Sequence, residues 1–113
     1  MQTIDKVQVI TTSVMESVFA LLSDKLYKVM LYGSYARGDF TPESDIDIMI
    51  VLDCPKEEVL SYRKEVSRLS RRIGLEHDIM VSILLRDKDS FENGQKVLPF
   101  YQNIMKDGVE LYG

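Results

Sequence analysis

Apolar residues recur every three or four positions in three stretches of the chain, which is the spacing of one helix face. The first stretch predicts a helix over about residues 3–23, the second over 56–73 and the third over 96–106. Pro55 suits the start of the second helix and Gly74 suits its end, because proline fits a first helical turn and glycine fits the residue after a helix. The pattern therefore predicts helices at both ends of the chain and one in its middle.

The apolar segments between these helices are shorter and rich in β-branched or aromatic residues, as strands are. Residues 27–32 (YKVMLY), 45–52 (DIDIMIVL) and 77–85 (HDIMVSILL) are the predicted strands. The closing VELY, residues 109–112, adds a short edge strand. The chain therefore alternates between helices and strands, which predicts a small sheet flanked by helices.

The lengths of the connections predict how the strands pair. A short, turn-rich loop joins the first two strands, so they can pair antiparallel. A helix joins the second and third strands, so these should be parallel, with a right-handed crossover. The predicted fold class is α/β (α+β) with a small mixed sheet. This topology brings Ser34, Asp45, Asp47 and Asp78 to one edge of the sheet.

Composition fits this picture and excludes several classes of function. A chain of 113 residues fits one domain over 1–113, and 45% hydrophobic with 28% charged residues is normal for a globular protein. The net charge of −4 argues against non-specific binding to nucleic acid or to an anionic membrane, because both need a basic surface. The substrate is therefore expected to be neither a polynucleotide nor a lipid surface.

The compartment follows from the cysteine count and from the apolar runs. Cys54 is the single cysteine and cannot form an internal disulfide, so the reducing cytoplasm is the expected location. The opening MQTIDKVQVI lacks a basic segment followed by an apolar one, which predicts no signal peptide. The longest apolar run, residues 48–52, is far shorter than the ~20 residues of a membrane helix.

Two aspartates alternate at the start of the second predicted strand. Asp45 and Asp47 therefore share one face of that strand, and Asp78 would open the neighbouring strand beside them. Carboxylates this close repel one another unless a cation neutralises them, and Mg²⁺ takes one or two carboxylates together with substrate phosphates. His77 should point to the opposite face. The three aspartates are therefore the candidate catalytic residues and the candidate metal ligands.

A Gly-Ser pair ends the first strand, just before a predicted helical turn over 34–38. Gly33 lets a phosphate approach the backbone closely, and the Ser34 hydroxyl with the free N–H groups of the turn can donate to it. Together with the aspartates, this pair points to metal-assisted phosphoryl or nucleotidyl transfer.

The segment GSYARGDFTPESDIDIMIV resembles the Gly-Ser…Asp-x-Asp signature of the DNA polymerase β-type nucleotidyltransferase superfamily. The short chain is similar to its minimal nucleotidyltransferase (MNT) branch. The likeness extends over EHDIMVSIL and LPFYQNIMKDGVELY. It implies a polymerase β-like fold that uses ATP with Mg²⁺ or Mn²⁺.

The resemblance also implies a role for each matching residue. Asp45 and Asp47 would bind the metals that hold the nucleotide, Asp78 would bind one metal and activate the acceptor hydroxyl, and Gly33 with Ser34 would hold the triphosphate. Arg37 stands where relatives often carry a basic residue, so it could contact phosphate or form a surface ion pair with Asp39 or Glu43. Tyr35 replaces the arginine that often follows Gly-Ser.

MNT proteins are typically the antitoxins of HEPN-type RNase toxins. The resemblance therefore implies a hetero-oligomer in which the protein transfers AMP from ATP to a tyrosine of the toxin. Two alternatives remain: an antitoxin that acts by binding alone, and a small-molecule nucleotidyltransferase completed by dimerisation or by another subunit.

Overall fold

The computed structural model describes residues 3–113, with side chains from Lys6 onward. Met1 and Gln2, which open the segment without a signal-peptide pattern, lie outside the described residues. The strands are β1 (Leu26–Tyr32), β2 (Ile46–Leu52), β3 (Val81–Asp87) and β4 (Val109–Tyr112). The helices are α1 (Thr3–Leu22), α2 (Ser34–Arg37), α3 (Lys56–Ser61), α4 (Arg63–His77), α5 (Lys88–Val97) and α6 (Pro99–Asp107).

The strands form one mixed sheet in the order β3-β2-β1-β4. β1 pairs antiparallel with both β2 and β4, and β2 pairs parallel with β3. The predicted pairings and the VELY edge strand are therefore confirmed, as is the α/β class. The handedness of the crossover stays a prediction.

Each face of the sheet packs against a different set of helices. The isoleucines of β2 (Ile46, Ile48 and Ile50) pack on one face against α1 and α4. Met49 and Val51 pack on the other face with Phe91, Tyr101 and Ile104 of α5 and α6. β2 is thus covered on both faces and paired on both edges. It forms the centre of the core and carries Asp47 at its beginning.

The predicted middle helix is interrupted in the structure. Tyr62 ends α3 and precedes α4. Its hydroxyl donates to the carboxylate of Glu58 at 3.3 Å, and Glu58 pairs with Lys25 at 2.9 Å. Gly74 does not end α4, which runs on to His77. A Cβ at Gly74 would lie 2.6 Å from the carbonyl oxygen of Ile79, so this glycine allows close packing of the chain that follows the helix.

β3 begins later than predicted, at Val81 instead of His77. His77 is the last residue of α4, and Asp78 ends that helix in the left-handed conformation with φ 53° and ψ 48°. Aspartate tolerates this conformation better than most residues, because its short polar side chain bonds locally. The prediction that Asp78 opens the strand beside Asp45 and Asp47 is therefore wrong.

The C-terminal third contains one helix more than predicted. Asp87 caps the start of α5, where its carboxylate accepts from the Ser90 N–H at 3.0 Å. Leu98 is extended because the following Pro99 disfavours a helical conformation there, and α6 begins at that proline. No helix within residues 3–113 has both the length and the apolar character to cross a bilayer.

Candidate active site

The end of β1 turns sharply into the short helix α2. Gly33 has φ 77° and ψ −157°, a backbone conformation that is essentially restricted to glycine. Its carbonyl oxygen accepts from the N–H groups of Ala36 and Arg37, both at 3.1 Å. Ser34 and Tyr35 form the first turn of α2, where N–H groups have no acceptor within a helix. The turn therefore leaves the Ser34 and Tyr35 amides without a helical acceptor, and the half-buried Ser34 side chain lies in the same turn.

The carboxylate of Asp47 lies directly against this turn. Tyr32 and Asp47 are register partners in the antiparallel pair, which brings the end of β1 beside the start of β2. A Cβ added to Gly33 would collide with Oδ2 of Asp47. The glycine is thus required twice, by its own backbone angles and by the carboxylate beside it. This contact brings together the two halves of the predicted motif.

Asp45 and Asp47 are close enough to repel each other, and they differ in burial. Asp47 is half-buried, whereas Asp45 is exposed just before β2. Burial raises the pKa of Asp47 and the neighbouring charge of Asp45 raises it further, while Arg37 lowers it. The same carboxylate contributes to a raised pKa of the Tyr32 hydroxyl, whose main cause is burial. A hard divalent cation would relieve the repulsion between the carboxylates, so their chemistry fits Mg²⁺.

Asp78 lies apart from these carboxylates. It lines one cavity with Lys6, Tyr35 and Phe40 and another along α4, and neither cavity is lined by Asp45 or Asp47. Within the described part of the chain, no group of three or more acidic, histidine or cysteine side chains is placed to hold one metal ion. The structure therefore places the Asp47 carboxylate against Gly33, with Asp45 just before β2, whereas Asp78 borders other cavities.

Arg37 forms the surface ion pair with Asp39 that was one of its two expected contacts. Its Nε donates to Oδ2 of Asp39 at 3.3 Å, and both side chains are exposed, so the ion pair is weak. Its charge also lowers the pKa of Asp47. An arginine held this loosely can leave Asp39 and contact a phosphate at the site.

Aromatic stacking and hydroxyl contacts hold the loop between α2 and β2. The ring of Tyr35 stacks on Phe40, with centroids 4.6 Å apart and an interplanar angle of 11°. The Thr41 N–H donates to the Ser44 hydroxyl at 2.9 Å, and the Ser44 N–H donates to the Thr41 carbonyl at 3.0 Å. Tyr35, which replaces the frequent arginine, thus stabilises the loop that leads into Asp45.

One wall of the site was not predicted from the sequence. A cavity of about 180 Å³ beside the Gly33 turn is lined by Tyr32, Arg37 and residues of α6, including Phe100 and Asn103. Phe100 lies edge-on to Tyr32, with ring centroids 5.9 Å apart. The helical spacing assigned Phe100 to the buried stripe, yet 47% of its surface is exposed. No local sequence signal marks it, because its exposure depends on how α6 packs on the sheet.

Comparisons with known proteins agree with this geometry. Two proteins of Methanocaldococcus jannaschii, each named "Putative protein adenylyltransferase", are similar in sequence. One is 34% identical over 65% of this chain and 72% of its own length. The other is 33% identical over 78% of this chain and 80% of its own length.

Solved structures share the fold. A "putative nucleotidyltransferase" from Sulfolobus solfataricus superimposes with a TM-score of 0.67 at 26% identity, covering 96% of this chain and 81% of its own. A toxin–antitoxin structure with AMP-PNP superimposes with a TM-score of 0.58 at 20% identity, covering 90% and 72%. The sequence profile of the nucleotidyltransferase domain matches residues 16–110. From this match, the two relatives and the Gly33–Asp47 contact, we conclude that the chain belongs to the nucleotidyltransferase domain family.

Proposed function

We propose that this protein is an antitoxin that transfers AMP from ATP to a tyrosine hydroxyl of a HEPN-type RNase toxin and so inactivates it. The observation that carries the proposal is the contact between Gly33 and the Asp47 carboxylate, because it joins a phosphate-binding turn to a candidate metal ligand. The names of the two archaeal relatives and the fold shared with a toxin–antitoxin structure that contains AMP-PNP support it. The protein acts as one domain, residues 1–113, in the reducing cytoplasm.

The reaction exchanges one phosphorus–oxygen bond for another. The tyrosine oxygen attacks the α-phosphorus of ATP and forms an O–P bond, the bond to the bridging α–β oxygen breaks, and pyrophosphate leaves. The proton of the hydroxyl goes to solvent. Mg²⁺, or Mn²⁺, neutralises the triphosphate and polarises its oxygens.

The residues of the chain supply the positions for this exchange. Asp45 and Asp47 would hold the cation, whose charge would relieve the repulsion between the two carboxylates. The Ser34 hydroxyl and the first amides of α2 donate to phosphate oxygens. Arg37, at the rim of the neighbouring cavity, adds a positive charge beside the triphosphate.

An exposed apolar surface beside the site favours a protein acceptor. Val97 is 72% exposed, and Leu98 and Phe100, at the turn between α5 and α6, are each about half exposed. We call these three residues the α5–α6 patch. Phe100 also lines the cavity next to Gly33 and Arg37, so the patch is continuous with the nucleotide site. A protein docked there would bring its acceptor hydroxyl close to the phosphates.

A Val97→Asp substitution is expected to weaken the complex with the toxin by at least about 10-fold, because a charge would be buried in an apolar contact. Leu60→Asp on α3 is the matched control, since Leu60 is 49% exposed and lies outside the patch. Titration calorimetry with the purified toxin gives both affinities. Equal losses of affinity in the two variants would show that the patch is not part of the interface.

The first test is intact-mass spectrometry of the protein encoded by the neighbouring gene, ideally a HEPN-type protein, after incubation with this protein, ATP and Mg²⁺. We expect the toxin to gain mass in whole AMP units, and the gain to disappear when its acceptor tyrosine is replaced by phenylalanine. A tight complex without any mass gain would support an antitoxin that acts by binding alone. Adenylylation of a small molecule, with the toxin unchanged, would support the third alternative.

A further inference from the structure

The neighbour of Asp47 on β3 is a serine. In the parallel pair of β2 and β3, Ile46 is the register partner of Val81 and Asp47 is the partner of Ser82. Register partners in adjacent strands point to the same face, about 4.8 Å apart. Ile46 and Val81 both enter the core on the α1 and α4 side, so Asp47 and Ser82 share the opposite face. Ser82 is therefore the β3 side chain closest to the metal-binding face of β2.

Ser82 lies at the exposed edge of β3. Ser82 and Asp45 both border a cavity along this edge, which residues of α4 also line. The next residues of β3 on the Asp47 face are Leu84, which packs beside Met49, and Arg86, whose Nε donates to the Tyr101 hydroxyl. The residue that stands beside the two aspartates on this face of β3 is thus a neutral hydroxyl.

Asp78 cannot take this place without rearrangement of the chain. It precedes Ser82 by four residues, and residues 78–80 lie before β3, which begins at Val81. Asp78 lies in the turn that closes α4, where its N–H donates to the Gly74 carbonyl oxygen. Asp78 therefore has no register position on β3 beside Asp47.

We infer that the catalytic site of this chain has two carboxylates, with Ser82 in the third place, and that it binds one divalent cation per nucleotide before the acceptor arrives. This inference rests on the proposed nucleotidyl-transfer function. Two carboxylates and the triphosphate satisfy one hard cation, and a serine hydroxyl adds no charge with which to hold a second. Asp78 then has no part in metal binding.

Ser82 also affects which acceptor the site favours. With Ser82 beside Asp47, β3 offers no carboxylate at this position to take the proton of the attacking hydroxyl. A phenol, with an ordinary pKa of about 10, loses its proton more readily than an aliphatic alcohol. The site therefore favours tyrosine over serine or threonine as the acceptor.

Equilibrium dialysis without acceptor tests the inference. The ligands are Mn²⁺ and α,β-methylene-ATP, an analogue that cannot donate AMP. The concentration of each is measured on both sides of the dialysis membrane. The differences give the amount of bound metal per bound nucleotide. We expect a ratio of about one for the natural chain and for Asp78→Asn, with affinities within about twofold of each other. Ser82→Asp, which creates a third carboxylate beside Asp47, should raise the ratio towards two.

Two results would overturn the inference. One is a ratio of two in the natural chain, and the other is a loss of bound Mn²⁺ in Asp78→Asn. The Asp78→Asn comparison stands even if Ser82→Asp fails to fold, because the two variants are independent. The metal-to-nucleotide ratio is measured without turnover, so the inference can be confirmed even if AMP transfer to the toxin is not observed.

Discussion

Replacing Asp47 by asparagine is expected to reduce AMP transfer by more than about 100-fold while leaving the fold intact. Loss of an outer partner of a metal ligand alone typically costs 10–100-fold, and Asp47 is proposed to contact the cation itself. Asp45→Asn should behave in the same way. Asp53→Asn, at the exposed position after β2, is the matched control and should retain full activity. Mass spectrometry of the toxin measures all three; substantial transfer by Asp47→Asn would refute the site.

The same variant should be more stable than the natural protein when no metal is present. Burial and Asp45 raise the pKa of Asp47 above its ordinary value of 3.8, so the folded state disfavours the ionised carboxylate. Stability is therefore lost as the pH rises from the unfolded pKa through the raised one, and asparagine avoids that loss. Thermal melts with a chelator should show a higher Tm for Asp47→Asn at about pH 7 and no such advantage at about pH 3.

Replacing Gly33 by alanine is expected to abolish nucleotide binding and to destabilise the fold by about 1–3 kcal/mol. The positive φ of 77° accounts for the loss of stability, and the collision of the new methyl group with the Asp47 carboxylate accounts for the loss of binding. Displacing that carboxylate would move a proposed metal ligand away from the turn that should hold the phosphates. Chemical denaturation and fluorescent-nucleotide titration measure the two effects separately.

Gly38→Ala separates backbone strain from collision. Gly38 also has a positive φ, 86°, but its ψ of 5° places it in the left-handed helical region, and no atom lies within 4 Å of the Cβ that alanine would add. Gly38→Ala should therefore destabilise the fold by about 1–2 kcal/mol and keep its affinity for nucleotide. If both variants bound nucleotide equally well, the contact between Gly33 and Asp47 would not be required for nucleotide binding.

The sequence predicted the centre of the fold well because its signals there are local and agree with one another. Residues 45–52 combine strand alternation with a continuous apolar face, and the structure places β2 at Ile46–Leu52. The short loop before β2 and the helices after it determined the pairing of the neighbouring strands. As a result, the predicted topology correctly placed the Gly-Ser turn and Asp47 at the same edge of the sheet.

The predictions failed where tertiary packing overrides a local preference. Gly74 looked like a helix end, yet the chain uses its missing side chain to pack the carbonyl group of Ile79 against α4. The helix therefore continues by one turn, and β3 starts four residues later than predicted. Asp78 consequently lies in a cap instead of a strand. The register that places Ser82 beside Asp47 depends on this packing, so the sequence pattern could not reveal it.

The position of Asp47 in the central strand couples the stability of the fold to the proposed metal binding. β2 is covered on both faces, so substitutions along it would disturb the core and the proposed metal ligand together. Val97 and Leu98 of the α5–α6 patch are exposed, so substitutions there would leave the core intact. On the proposed function, the surface that recognises the acceptor can therefore be redesigned more freely than the strand that would hold the cation.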